Sequence, residues 1–124
     1  MVFVRIAVGL LLLAHGLVHL LYLAPGVPEF SLDRSWLVPE TARRPLALGL
    51  ITATTIAFAV LALAVWGVPG LATAWPTFTV VACVISVVLL VLFWNVSLVF
   101  GLAIDIVLLA IAVVRPDWAA RFLA

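Results

Sequence analysis

Residues 6–24 read IAVGLLLLAHGLVHLLYLA, an apolar run without Asp, Glu, Lys or Arg that is interrupted only by His15, His19 and Tyr22. As a helix it approaches the ~20 residues needed to cross a bilayer core. A secretory signal carries an apolar region of only about 7–15 residues, so this longer, histidine-bearing run reads as a retained span. Three similar runs follow, and the spacing predicts helices over 2–23, 45–66, 75–93 and 98–114. Pro25-Gly26 ends the first, Pro45 suits the first turn of the second, and Gly67-Val68-Pro69-Gly70 stops it. Trp94-Asn95-Val96-Ser97 then forms a tight turn. The Val- and Ile-rich runs are too long for buried strands, and lipid admits only helices or closed barrels. The fold expected for residues 1–124 is an all-α integral membrane four-helix bundle, a single domain.

Composition excludes the main soluble alternatives. The chain is 69% hydrophobic and 9% charged, whereas soluble domains carry about a quarter charged residues. All basic residues are arginines, the net charge is +1, and no basic run offers a nucleic-acid footprint. Cys83 is the only cysteine, which excludes an intrachain disulfide and any CxxC motif. No nucleotide loop or nucleophile elbow is present, and enzyme activity is not legible. Tyr22, Trp36, Trp66, Trp75 and Trp94 fall at the expected span ends, as an aromatic belt requires. Four spans place both termini on one side. Arg5, Arg115 and Arg121 face Arg34, Arg43 and Arg44 across the membrane, and the terminal amine tips the balance towards cytoplasmic termini. The expected location is a bacterial inner membrane, the cell membrane, crossed several times.

The connection 25–44 is the only long one. Phe30, Leu32, Trp36 and Leu37 mix with Asp33 and Arg34 there, a pattern suited to an element lying on the membrane surface. Glu40 precedes Arg43 and Arg44 at helical ion-pair spacing. Gly9, Gly16, Gly49 and the Thr79/Cys83/Ser86 stripe are expected to permit close helix packing.

The polar residues inside the spans are the candidates for function, because ionisable groups in a membrane mark ligand, ion or proton sites. His15, His19 and Tyr22 share one helix face. His15 lies ten residues from Arg5 and Asp105 ten from Arg115, a common depth of about 15 Å. An ionised Asp at that depth costs roughly 2.5–3.5 kcal/mol, so Asp105 requires a proton or a partner, and His15 is the candidate. Thr54, Thr55 and Ser86 lie near the same plane, where such hydroxyls commonly bond backbone or join helices. A structural hydrogen-bond network is the plain reading of His15, His19 and Asp105. The functional alternatives are a quinone or similar ligand beneath Tyr22 and Trp94, with Thr55 and Ser86 lining its pocket; haem on one histidine; a metal held by both histidines and Asp105; or a proton relay.

Arg5-Ile6-Ala7-Val8-Gly9-Leu10-Leu11, leading to His15-Gly16-Leu17, resembles the opening helix of the DoxX-like small membrane proteins. Those have four spans and often carry an arginine, a glycine and a His-Gly step here. The matching residues are Arg5, Gly9, His15 and Gly16; His19 and Asp105 fall outside the resemblance. It implies a redox-associated accessory role, since the family includes subunits linked to quinol and thiosulfate oxidation. The function expected is therefore a redox-associated accessory or quinone-binding protein. The alternatives are a small proton-coupled transporter and a structural subunit. The expected partners are the lipid bilayer and either further copies of the chain or a larger membrane complex.

Overall fold

The computed structural model describes residues 2–24 and 35–123. Helix α1 spans Val2–Leu17 and continues as a 3₁₀ segment, Val18–Leu23. Helix α2 spans Glu40–Val65, α3 Trp75–Leu92, α4 Val99–Val114 and α5 Asp117–Leu123. Short 3₁₀ turns, Ala72–Ala74 and Val96–Leu98, lead into α3 and α4. No strand occurs among the described residues. Four of these segments are long and apolar enough to cross a membrane, and the chain is an all-α, multi-pass membrane protein. The surface element expected around Phe30, Leu32, Asp33 and Arg34 lies outside the described residues.

Local chemistry explains where the boundaries differ from expectation. Helix α2 begins at Glu40 rather than Pro45 and carries Pro45 inside it. Glu40 favours the positive end of the helix dipole, and Pro45 is close enough to the start that only one intrahelical donor is lost. The 3₁₀ winding of Val18–Leu23 starts where the His19 ring engages two main-chain carbonyls, at Nδ1 to His15 O (2.9 Å) and Gly16 O (3.1 Å). Six residues is long for a 3₁₀ run, and such tightening inside a helix commonly marks a functional position. The turn before α4 is fixed by Asn95, whose side chain accepts from Ser97 N at 2.9 Å. After α4, Arg115 adopts φ +51° and its guanidinium Nε donates to Ala112 O at 3.3 Å. Pro116 then prevents continuation, and the chain turns back as α5. Seven residues carry too little periodicity to announce that helix in the sequence.

α1 packs on α2, α2 on α3 and α3 on α4. Arg5 Nε donates to Val65 O at 3.0 Å and the Trp66 indole to Ile6 O at 3.3 Å, tying the start of α1 to the end of α2. At the opposite end three side chains satisfy the last carbonyls of α3, which have no intrahelical donors. Trp36 Nε1 donates to Val91 O (2.6 Å), Ser35 Oγ to Leu92 O (2.6 Å) and the Tyr22 hydroxyl to Phe93 O (3.2 Å). Ser35 and Trp36 therefore act, with Tyr22, as the cap of α3. Glycine works as expected at Gly16, where an added Cβ would come within 2.5 Å of Phe58 Cβ, and at Gly9, which lies under the Trp66 indole. Gly49 differs: nothing lies within reach of a Cβ there, because it sits on an exposed face of α2.

Two apolar clusters result. One, towards the long connection, contains Tyr22, Ala47, Ile51, Leu89, Leu90, Phe93 and Leu98. The other, towards the termini, contains Leu12, Phe58, Leu61, Val65, Ala82 and Cys83. A polar layer lies between them.

Candidate functional site

The polar layer is one continuous chain of hydrogen bonds across α1, α3 and α4. His15 Nε2 lies 2.8 Å from Asp105 Oδ1. Asp105 Oδ2 lies 2.5 Å from Ser86 Oγ, and Ser86 Oγ lies 2.8 Å from His19 Nε2. Asp105 and Ser86 are fully buried and His19 is 1% exposed. His15, at 9% side-chain exposure, is the one member of the layer that reaches the protein surface.

Tautomers follow from the partners. His19 Nδ1 meets only carbonyl oxygens, so it carries a hydrogen and donates. His15 Nε2 faces a carboxyl oxygen and donates to it, which leaves Nδ1 of a neutral ring as a bare acceptor. That nitrogen has no partner among the described residues. A carboxylate that orients an imidazole and leaves its second nitrogen open is the arrangement of a general base or a metal-ligating histidine.

Packing holds both rings. Phe58, from α2, lies edge-on to His15 with centroids 4.9 Å apart and roughly parallel to His19 at 6.2 Å; the two imidazoles are edge-on at 5.4 Å. The close passage of Gly16 against Phe58 makes this possible, since a larger residue would push α1 away. Sequence reasoning missed Phe58. Counting inward from Trp66, at the other end of α2, puts it eight residues deep and near the level of His15.

The structure joins His15, His19, Asp105 and Ser86 directly. Thr55 stands beside them, its hydroxyl 3.5 Å from Gly16 O. Tyr22 is buried one turn away, pairing with Phe93 by hydrogen bond and edge-on ring contact. Trp94 is apart, lining a shallow depression with Trp36, Val91 and Leu102. Trp94 thus stands apart from Ser86 and Thr55 among the described contacts. Thr54 is fully buried, and its hydroxyl has no partner among the described residues.

A cavity of about 350 Å³ lies instead on the terminal side of the layer. Leu12, Leu61 and Leu108 form its inner end, each one helical turn from Phe58, His15 or Asp105. Val4 and Val8 from α1, Trp75 and Thr79 from α3, and Trp118, Ala119 and Phe122 from α5 are among the other lining residues. The lining is almost wholly apolar, and the volume falls within the ~300–1,000 Å³ of small-molecule sites. Among the described residues no group of three or more His, Cys, Asp and Glu is disposed to hold a metal ion. Both nitrogens of His19 are already engaged, so His15 Nδ1 is the histidine nitrogen without a partner among the described residues.

Comparison with protein families, curated proteins and solved structures returned no match.

Proposed function

We propose that this chain is a redox-associated membrane protein that binds a quinone, with the ring oxygen at His15 Nδ1 and the hydrocarbon tail in the apolar cavity. The observation that carries the reading is His15 itself: an imidazole fixed by a buried carboxylate, with its second nitrogen open at the accessible edge of the polar layer. A quinol O–H would donate to bare Nδ1. A quinone carbonyl would accept from the same nitrogen once protonated, with Asp105 as counter-ion. The neighbouring cavity exceeds the ~150 Å³ apolar void that takes up a benzene ring, which suits a tail. The DoxX-like resemblance of the opening helix points the same way. In this reading the protein lies in the cell membrane with cytoplasmic termini, and the cavity opens towards that side.

Trp75 and Trp118 line the cavity, so binding has an optical readout. Titrating the protein in lipid nanodiscs with a short-chain quinone should quench tryptophan fluorescence saturably. His15→Ala should weaken binding about tenfold, as expected for loss of one hydrogen bond of ~1.4 kcal/mol. Quenching that rises linearly, as for simple partition into lipid, would remove the proposal. A proton-coupled transporter is the second reading, favoured by the unbroken polar layer; pH-dependent uptake lost in Asp105→Asn, without quinone binding, would select it.

A further inference from the structure

Three contacts link His15, Asp105, Ser86 and His19, and each requires a hydrogen. His15 Nε2–H supplies the first. The single Ser86 hydroxyl hydrogen can serve either Asp105 or His19, but not both. His19 cannot help as a neutral ring, because its one hydrogen is committed to the carbonyls of His15 and Gly16 through Nδ1. An ionised Asp105 with two neutral histidines therefore leaves one contact without a hydrogen. It also leaves a net negative charge among fully buried groups.

We propose that the layer holds one additional proton, shared between Asp105 Oδ2 and His19 Nε2 and relayed by the Ser86 hydroxyl. In one form Asp105 is a neutral acid: its Oδ2–H donates to Ser86 Oγ, and Ser86 O–H donates to His19 Nε2. In the other, His19 is an imidazolium: Nε2–H donates to Ser86 Oγ, and Ser86 O–H donates to the Asp105 carboxylate. Two concerted proton shifts interconvert them, breaking one O–H and forming one N–H at the ends while Ser86 loses one hydrogen and gains another. Both forms are neutral and satisfy every contact. Hydrogen-bond satisfaction and charge neutrality in a low-dielectric interior thus require the same proton count.

Among the described residues, the groups facing this hydrogen-bond chain add no other charge. α2 contributes Phe58 and Thr55. α3 contributes Ser86 and Cys83, the latter a buried thiol close enough to interact with Asp105. α4 contributes Asp105. The proton count follows from the contacts of the layer and does not rest on the quinone reading.

The test uses the ligand-free full chain in lipid bilayers, with ¹⁵N-labelled histidine observed by solid-state NMR and the carboxyl stretch of Asp105 by infrared spectroscopy, assigned through Asp105→Asn. At neutral pH, His15 should show a bare Nδ1, and the His19 imidazolium and Asp105 acid populations should sum to one proton per chain. Ser86→Ala should freeze the distribution in one form and abolish exchange, while Ser86→Thr, which keeps the hydroxyl, should restore it; if Ser86→Ala does not fold, the proton count in the unaltered chain decides. A bare His19 Nε2 together with an ionised Asp105 overturns the proposal. Absence of quinone binding leaves these readouts unchanged, so the two proposals fail separately.

Discussion

The two halves of the bundle, on either side of the polar layer, are made from the same residue types yet differ in how they are filled. Towards the long connection, Phe93, Leu89, Ile51 and Ala47 are 1% exposed or less, and Tyr22, Ser35 and Trp36 bind the final carbonyls of α3. Towards the termini, Phe58, Leu61, Ala82 and Cys83 are buried as fully, but beside them α1 to α4, together with α5, line a cavity. Hydrophobicity alone cannot produce that difference, because lipid tails satisfy apolar side chains as well as a protein core does. Packing shape and main-chain hydrogen bonding decide it. The filled half holds the helices together, and the hollow half gives the layer a neighbouring space in which a ligand can lie.

Large-to-small changes in the filled half should cost most. Phe93→Ala should destabilise the protein by about 3–5 kcal/mol, as for a fully buried aromatic, measured by reversible unfolding in mixed micelles. A loss below ~1 kcal/mol would mean that this half is as loosely packed as the other. At the junction, Gly16→Val drives a side chain into Phe58 and should cost about 1–3 kcal/mol through overpacking. The same substitution should separate the two imidazoles from Phe58, visible as altered histidine ring shifts; unchanged shifts would show that α1 does not depend on this contact.

Removing one cap from α3 is a smaller perturbation. Tyr22→Phe deletes the hydroxyl that reaches Phe93 O and should cost about 1 kcal/mol, with faster hydrogen exchange near the end of α3 as its signature. The least effect on stability is expected in the hollow half. Ala119 is buried and lines the cavity, so Ala119→Leu places its added volume in open space and should change stability less than the substitutions above, while saturable binding of a short-chain quinone is lost. Unimpaired quinone binding in that variant would place the tail elsewhere and sharpen the contrast between the halves.

Some of the site is legible in the sequence. Counting ten residues inward from Arg5 and from Arg115 puts His15 and Asp105 at one depth, and the two side chains meet at 2.8 Å. The count succeeds because rise per residue is fixed in a helix and the flanking arginines are held near the membrane surface. Ser86 could be brought to the same plane by counting but not given its part. Whether a serine bonds its own backbone or bridges two neighbours depends on which helices flank it and how they are rotated. Phe58 carried no signal of polarity to set it apart from its apolar neighbours.

The sequence by itself determined that this is a multi-pass, all-α membrane protein, because length, hydropathy and the absence of backbone partners in lipid leave no other solution for four such runs. It also determined the depth of each buried polar group. Helix rotation and pairing were decided by tertiary structure. These turned Gly16 towards Phe58, threaded the Ser86 hydroxyl between His19 and Asp105, folded α5 back beneath the bundle and left a cavity beside the layer. The physical reason is that depth along a helix follows from local geometry, whereas the face a helix presents is fixed only by side chains on other helices that it must fit.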